Sequence, residues 1–386
     1  MKERINYNNG YYYGDVSTIF RNGSFIKIKH GMGTYYWNDG TKLEGTYMND
    51  NILSGNYTFP DGTVYSGNFV NWSFDGFGTM KWPNGDVYVG NFSNGNRTGQ
   101  GKVTFAVGGY YEGQFLEGYR HGQGKNVFPN NSIYVGSYVR DKKEGKGRME
   151  YSDGGYYDGE WKNDLRHGLG EWVYTDNAKY NGYLKDDKRD GEGTLIWHDT
   201  YYGSTFMYKG GWKNNCFNGT GVIYGGGYKY EGEVAASKDT NGQLKGNGIL
   251  YFVEDLMDEN DIDTLVNENY EDNFSYRYIG GFNNTLFHGQ GTLSIGYAST
   301  IFSGMWINGK LNGPAVKMCC VDEFRIKGQE PTFDVYEGTC VNNKFVGIVK
   351  VTRANGTVEN ISALEAEKVF EDDFEYFKEY IFEINY

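Results

Sequence analysis

Histidines are the residues of this sequence best suited to acid–base chemistry near neutral pH, and there are only five of them. Four share one context, directly before a Gly-x-Gly: His30, His121, His167 and His288. A residue that recurs at one position of a repeating pattern indicates a structural role. The fifth, His198, follows Trp197 and has no evident Cys or Ser partner in the sequence. No Gly-x-Ser-x-Gly nucleophile motif is present, and the carboxylates are scattered. The sequence therefore predicts no catalytic residues.

The sequence also lacks recognisable motifs for binding phosphate or metal ions. The segment 121–125, HGQGK, has glycines and a lysine but lacks the Gly-x4-Gly-Lys-Ser/Thr spacing of a phosphate-binding loop. Asp258, Asp261 and Asp263 lack the glycine and the terminal Glu of a calcium loop. The four cysteines form no Cys-x-x-Cys pair. We expect no cofactor, no metal site and no enzymatic activity.

The amino-acid composition of the chain is unusual and limits which secondary-structure elements it can form. The 386 residues include 58 Gly and 36 Tyr, and aromatics reach 18% while all apolar residues together reach 38%. Disordered chains are poor in aromatic residues, so disorder is a weak alternative. The five prolines suit extended strands, because proline removes a ladder donor. Thin layers packed by rings are expected rather than a deep aliphatic core.

The net charge and the apolar runs of the sequence limit which partners and which compartment are expected. The net charge of −13 disfavours nucleic acid as a main partner and weakens any general affinity for anionic membranes. No signal peptide is visible, and no run of 18 apolar residues predicts a transmembrane helix. We expect a cytoplasmic protein in a reducing setting.

A 23-residue repeat organises the chain. Six tyrosines keep this step: Tyr65, Tyr88, Tyr111, Tyr134, Tyr157 and Tyr180. Each has glycine two residues later, and a Gly-x-Gly follows with the same step. Tyr157, Gly159 and Trp161 alternate as residues on one face of a β-strand do. Asp-Gly and Asn-Gly pairs such as Asp61-Gly62 indicate hairpin turns. Each unit is predicted to be two short antiparallel strands that need neighbours for stability.

The unit 157–172, YDGEWKNDLRHGLGEW, closely resembles the consensus of MORN (membrane occupation and recognition nexus) repeats, Y-x-G-x-W through H-G-x-G. Degraded or interrupted units extend the resemblance over about residues 11–356. It implies an all-β fold: an elongated single-layer antiparallel sheet of about 12 stacked β-hairpins, to which the sequence adds a C-terminal α-helix. Appended kinase or methyltransferase domains occur in some members, but about 30 residues after the last repeat are too few for either.

Four segments are predicted. They are an N-terminal segment 1–10, a regular repeat array 11–198, interrupted repeats 199–356 with an acidic loop 253–277, and a C-terminal amphipathic helix 357–386. The acidic loop is expected to be either a solvated loop or a docking site for a basic partner. In the last segment Ser362-Ala-Leu-Glu365 is a capping box, and apolar residues follow at helical spacing. This helix is expected either to cap the last hairpin or to bind a partner, including a second copy.

The function expected from the resemblance is a structural scaffold that binds other proteins, in a cytoskeletal, ciliary or axonemal, or membrane-cortex assembly. Helical or extended partner segments are expected to contact the aromatic face and the C-terminal helix. The candidate contact residues are Tyr111, Phe115, Tyr134, Tyr138, Tyr157, Trp161, Phe370, Phe374, Phe377 and Ile381. The alternative is a peripheral phospholipid-binding module using Lys142, Lys143, Lys146 and Arg148. The rings could instead only fill their own groove, and the lysines could belong to a solvated face.

Overall fold

The structure is a computed structural model that describes residues 2–199, 203–235, 243–252, 276–296, 300–320 and 332–370. The described residues form 28 strands in antiparallel sheet, and one short helix follows the last strand. The predicted fold class is confirmed, with more strands than twelve hairpins require. The chain divides into two compact units, unit 1 (residues 1–175) and unit 2 (residues 176–386).

Unit 1 contains fifteen strands in chain order, and each pairs with the next. They are β1 Lys2–Tyr7, β2 Gly10–Arg21, β3 Ser24–Trp37, β4 Lys42–Met48, β5 Asn51–Thr58, β6 Val64–Val70, β7 Ser73–Lys81, β8 Val87–Ser93, β9 Asn96–Thr104, β10 Tyr110–Leu116, β11 Tyr119–Val127, β12 Ile133–Val139, β13 Lys142–Glu150, β14 Tyr156–Lys162 and β15 Leu165–Val173. The predicted N-terminal segment 1–10 therefore supplies the first strand of the sheet.

Unit 2 contains thirteen strands and the helix. They are β16 Lys179–Lys185, β17 Lys188–Asp199, β18 Ser204–Lys213, β19 Cys216–Gly225, β20 Tyr228–Ala235, β21 Gln243–Phe252, β22 Tyr276–Asn283, β23 Leu286–Ile295, β24 Thr300–Ile307, β25 Lys310–Cys320, β26 Phe333–Val341, β27 Lys344–Thr352, β28 Val358–Ser362 and α1 Ala363–Glu367. The regular repeat array was predicted to end at residue 198, and at this point β17 and β18 form a longer hairpin than those of the preceding repeats. The acidic loop 253–277 lies outside the described residues except for its last two positions, which begin β22.

The hairpin β10–β11 shows how one repeat folds. Its two-residue turn, Glu117–Gly118, has φ of +51° and +86°. Two consecutive positive φ values define the type I′ turn, whose twist matches that of the flanking strands. Most other turns of this kind use Asn or Asp, the side chains that tolerate this conformation best.

A register shift in the same hairpin explains why the repeat uses tyrosine rather than phenylalanine. The β10–β11 ladder skips a residue between Gly113 and Phe115, at Gln114. The hydroxyl of Tyr111 donates a hydrogen bond to the Gln114 carbonyl at 2.9 Å. Ten tyrosines of the described chain donate in this way to the carbonyl three residues later, at 2.8 to 3.1 Å. The phenol thus satisfies a carbonyl at each of these ten positions.

The paired glycines make room for the same ring. A Cβ atom on Gly124 would lie 2.4 Å from the Tyr111 hydroxyl oxygen and 2.5 Å from a ring carbon. On Gly113 it would lie 2.5 Å from the Gly124 Cα. The tyrosine ring therefore lies flat across two opposed glycines, which explains why both are required.

The rings of successive hairpins form a continuous ladder of edge-to-face contacts. Tyr111 contacts Phe115 of its own strand with centroids 5.2 Å apart, and Tyr138 of the next repeat at 5.3 Å. Tyr88 contacts Phe115 in the same way at 5.1 Å. Such pairs contribute about 0.5–1.5 kcal/mol each beyond their burial. We call the side of the sheet that carries these rings the ring face.

Neighbouring hairpins are also joined at their turns. The backbone N–H of Asp141 donates to the Arg120 carbonyl at 3.0 Å. The Asp141 carboxylate accepts the backbone N–H of Arg120 at 2.9 Å in return. Asp164 and Lys143 repeat both bonds one repeat later. These reciprocal bonds fix the position of one repeat against the next.

The last hairpins are capped by the polypeptide that follows them. The predicted capping box is present, with reciprocal bonds between Ser362 and Glu365 at the start of α1. Glu367 of α1 accepts hydrogen bonds from the fully buried Lys317 ammonium at 2.6 Å and from the Phe345 N–H at 2.7 Å. The helix begins later than residue 357, because 358–362 form β28. The described end of the chain therefore covers the last hairpin.

Candidate protein-binding face

The six rings predicted to contact a partner are buried within the ring ladder of unit 1. Tyr111, Tyr134 and Tyr157 have no exposed surface. Phe115, Tyr138 and Trp161 are at most 4% exposed. Each of the six contacts another of the set edge-to-face, and the Trp161 Nε1–H donates to the Gly147 carbonyl at 2.8 Å. Their position favours the alternative that the rings fill their own groove. They form the floor beneath the surface that a partner would meet.

The C-terminal candidates divide between described and undescribed residues. Phe370 is 1% exposed and packs edge-to-face against Tyr336 and Phe302, at 5.1 and 5.6 Å. Its ring is therefore used within unit 2 and offers almost no surface to a partner. Phe374, Phe377 and Ile381 lie outside the described residues, and their binding role stays a prediction.

The surface above the buried rings carries a row of cations. Arg97, Arg120, Lys143 and Arg166 are 23 residues apart, at the second position of β9, β11, β13 and β15. Each is paired across the hairpin with the buried ring of the first strand: Phe92, Phe115, Tyr138 and Trp161. Directly opposed residues of an antiparallel pair share a face, so all four lie on the ring face. We call these four residues the cation row, and all four are half-buried.

Each cation lies over aromatic rings. The Arg97 guanidinium is 5.6 Å from the Tyr88 centroid and 5.2 Å from that of Phe115. Arg120 lies over Tyr111 and Tyr138 in the same way, at 5.7 and 5.1 Å. Lys143 is 4.0 Å from Trp161. Contacts of this kind attract a cation to the face of an aromatic ring. They hold the row above the ring ladder.

Hydrogen bonds to the turn of the next hairpin also hold Arg97 and Arg120, the first two cations of the row, in position. The Arg97 guanidinium donates to the Gly118 carbonyl at 2.5 Å. Arg120 donates to the Asp141 carbonyl at 2.9 Å and to its carboxylate at 3.0 Å. Burial lowers the pKa of Arg97 from its usual value, but a guanidinium remains charged at any physiological pH.

A second row of half-buried side chains borders the first. Trp82, Phe105, Phe128, Tyr151 and Tyr174 recur every 23 residues, just beyond the strand ends that lie away from the two-residue turns. The Arg97 guanidinium reaches within 5.8 Å of the Trp82 centroid. Arg166 lies 3.6 Å from Trp172, which itself stacks on Tyr174. The ring face of unit 1 therefore presents cations on one side and aromatic rings on the other.

The basic patch predicted for lipid binding does not form one surface. Lys143 pairs with Tyr138 on the ring face. Lys146 and Arg148 flank Gly147, whose partner Gly159 belongs to the ring face, so alternation directs both to the opposite face. Lys142 also alternates away from Lys143. Arg148 is engaged by Glu150 and Asp158 at 3.0 and 3.4 Å.

The described residues offer little chemistry of other kinds. Within them, no group of three or more His, Cys, Asp and Glu side chains could hold a metal ion. The Nδ1 atom of His198 lies 3.2 Å from the Thr205 hydroxyl. None of the helical structure in the described part of the chain has the length and apolar character that a membrane span requires.

The cation row could have been found in the sequence. Its 23-residue step is as regular as that of the tyrosines. The position that follows each cation is less regular, because His occupies it in only two of these four repeats. The side of the sheet on which the cations lie was not predictable, because the register shift after each Gly changes the alternation.

The sequence model of the MORN repeat matches nine stretches that together make up half of the chain. They are residues 22–42, 65–87, 88–110, 111–133, 134–156, 157–179, 180–199, 278–295 and 302–320. No curated protein matches the chain.

Among solved structures, two CPAP domains show a low similarity. The TCP domain of Drosophila melanogaster SAS-4 (dCPAP), in complex with a proline-rich motif of Ana2, is 13% identical, with 44% of this chain and 90% of that chain covered and a TM-score of 0.26. The TCP10 domain of Danio rerio CPAP, in complex with a STIL peptide, is 11% identical, with 58% and 100% covered and a TM-score of 0.31. Similarity at these TM-scores carries no argument about function.

Proposed function

The chain belongs to the MORN-repeat family, and we propose that it is a non-enzymatic scaffold that binds other proteins through the ring face of unit 1. The proposal retains the aromatic-lined sheet predicted from the sequence. It moves the contact surface from the buried rings to the two rows above them, because buried rings can contribute only their edges.

One observation carries the proposal: the same surface recurs in four successive repeats at fixed spacing. Each repeat places a half-buried cation over a buried tyrosine and an aromatic ring beside it. A row of equivalent positions suits a partner that extends over several repeats, whereas a small substrate would need one distinct site. Aromatic residues and arginine are also the side chains most enriched where proteins bind one another.

The cellular setting is proposed from the family alone. MORN-repeat scaffolds suggest a cytoskeletal, ciliary or membrane-cortex assembly in the cytoplasm, and self-association through the C-terminal segment belongs to the same proposal. Phospholipid binding is the weaker candidate, because the four residues proposed for it lie on two faces of the sheet.

Site-specific photo-crosslinking tests the binding face. A photoreactive phenylalanine replaces Phe105 or Phe128 in the ring-face row of the full chain, expressed in cells of its own organism. The matched control replaces Val135, which is 51% exposed. Val135 lies three residues before the ring-face Tyr138 in the same strand, so alternation places it on the opposite face. We expect discrete protein adducts at positions 105 and 128 and none at 135. Equal adduct patterns at all three positions, or none at any, would refute the proposal.

A further inference from the structure

The protein partner has a definite chemistry if the proposed function holds. We propose that the cation row binds an extended acidic segment of another protein, which runs across the strands of unit 1 and places a carboxylate at every third residue. The segment lies along the cation row, with the intervening residues against the second row of half-buried rings, Trp82, Phe105, Phe128, Tyr151 and Tyr174.

The spacing of the cations selects this period. Successive cations are two strands apart, which is about 9.6 Å at the usual strand separation. The ring ladder beneath them agrees, because Tyr88 and Tyr111 are joined through Phe115 by centroid distances of 5.1 and 5.2 Å. Three residues of a polyproline II segment advance about 9.3 Å and complete one turn, so every third side chain lies on the same face. Residues three apart in a β-strand advance about 10 Å but point to opposite faces. A segment in the polyproline II conformation therefore meets one cation every three residues.

An α-helical partner fits less well. Its residues rise about 1.5 Å each, so the nearest repeat on one helix face is seven residues and about 10.5 Å. The mismatch of about 0.9 Å per repeat accumulates over the three intervals of the row. This separates the two partner geometries that the sequence left open.

The charge around the row is compatible with a carboxylate partner. Asp141 pairs with Arg120, and the Asp164 carboxylate accepts the Lys143 backbone N–H. Glu117, at the turn between Arg97 and Arg120, pairs with Arg140. The acidic groups beside the row are therefore engaged at the turns. Asp141 competes directly with a bound carboxylate, because its own carboxylate contacts the Arg120 guanidinium at 3.0 Å.

The chain itself supplies a variant that removes a cation and preserves the fold. Phe74 occupies the equivalent position in β7, where it pairs with Phe69 and stacks on Tyr65 at 3.9 Å. Phenylalanine is therefore an accepted side chain at this position. The triple variant Arg97→Phe, Lys143→Phe and Arg166→Phe removes three charges and leaves Arg120 with Asp141.

The matched control removes three charges from the opposite face. Lys102, Lys125 and Lys146 are exposed and alternate with the ring-face glycines Gly101, Gly124 and Gly147. Replacement of all three by Gln gives the same net charge as the phenylalanine variant. A difference in binding between the two variants therefore reports position rather than overall charge.

Binding is measured by fluorescence anisotropy with labelled synthetic peptides and the full chain. The probe is (Glu-Pro-Pro)5, in which proline holds the extended conformation. A peptide with five Glu at every fourth residue and a helical peptide with Glu at every seventh serve as spacing controls. We expect the phenylalanine variant to weaken binding of the probe at least about 10-fold, since 1.4 kcal/mol over three charges corresponds to tenfold. The opposite-face variant should change binding less than about twofold.

Two further measurements separate the outcomes. Asp141→Asn, which keeps the side-chain oxygen for the Arg120 N–H, should strengthen binding of the probe. Vesicles containing phosphatidylserine should not bind in a way that depends on the row. Equal losses in both triple variants, no preference for the three-residue spacing, or row-dependent vesicle binding without peptide binding would overturn this inference. Ring-face protein adducts found alongside any of these results would leave the scaffold proposal standing and refute only the acidic, extended partner.

Discussion

The tyrosine hydroxyl at each register shift makes a prediction that concerns a single oxygen atom. Tyr111→Phe removes the donor to the Gln114 carbonyl and leaves the ring, its glycine bed and its contacts with Phe115 and Tyr138 in place. Phenylalanine is smaller only by the hydroxyl, so no new clash arises. The variant isolates the hydrogen bond from the ring packing.

The magnitude follows from burial. Tyr111 has no exposed surface, and the Gln114 carbonyl lies where the ladder with β11 skips a residue. A buried acceptor that loses its partner costs about 1–3 kcal/mol. We therefore expect Tyr111→Phe to lower the free energy of opening this hairpin by that amount.

Native-state hydrogen exchange is the suitable assay, because a repeat array need not unfold as one cooperative unit. Protection is followed at amides of β10 and β11 and compared with those of β2 and β3 in the same sample. The control is Tyr119→Phe in the same hairpin, since the Tyr119 side chain is 45% exposed. It removes a hydroxyl with no buried role.

The expected pattern is local. Tyr111→Phe should reduce protection factors of β10 and β11 about 5- to 150-fold, while β2 and β3 stay unchanged. Tyr119→Phe should leave both pairs within about twofold of the parent. If the two variants behave alike, the hydroxyl contributes nothing at the shift, and the argument for tyrosine in this position fails.

Three other perturbations have clear expected outcomes. Gly124→Ala places a Cβ within 2.5 Å of the Tyr111 ring, and we expect it to destabilise the hairpin by about 1–3 kcal/mol in the same exchange experiment. The same substitution should cost less in a Tyr111→Leu background, where the ring is absent. Glu367→Ala takes the carboxylate partner from the buried Lys317, and we expect a loss of about 3–5 kcal/mol in urea unfolding of unit 2, largely recovered when Lys317→Met is added. Burial raises the pKa of four ring-ladder tyrosines of unit 1 from 10 to about 12, so the folded protein holds these phenols neutral. The stabilising contribution of these neutral phenols is intact below about pH 10 and is lost as the pH rises to about 12. Near pH 11 the free energy of unfolding falls by at most about 1.4 kcal/mol per tyrosine. A spectrophotometric titration of the phenols and circular dichroism over the same pH range should show ionisation and unfolding together.

The fold was largely predictable because the repeat is visible in residue types alone. The 23-residue tyrosine step, the glycine pairs and the Asp-Gly turns predicted antiparallel hairpins, and the structure has them. The residue types alone did not show which ring lies over the paired glycines: the tyrosine covers the glycines of its own hairpin, such as Gly113 and Gly124 for Tyr111.

The binding site was less predictable for a physical reason. Aromatic residues anchor both cores and interfaces, so a periodic ring pattern does not distinguish a buried ladder from an exposed face. Burial separates the two, and it places Tyr134 and Trp161 in the ladder. The charged residues that lie above them were assigned by sequence proximity, which joined Lys143 with Lys146 although they lie on opposite faces.

The position of the cation row in the hairpin argues that its charge serves binding more than folding. The same position holds Phe74 in unit 1, and Phe217 and Phe287 in unit 2, where each stacks on its tyrosine at 3.7 to 3.9 Å. A stacked ring fills this position without the cost of burying a guanidinium, and Arg97 bears that cost in its lowered pKa. Four successive repeats of unit 1 nevertheless carry a cation there, and Arg189 holds the same position in the first hairpin of unit 2. A side chain that the fold accepts in apolar form, yet holds in charged form over a continuous row, has the character of a recognition surface. For this reason the phenylalanine variants should fold normally and fail only in binding.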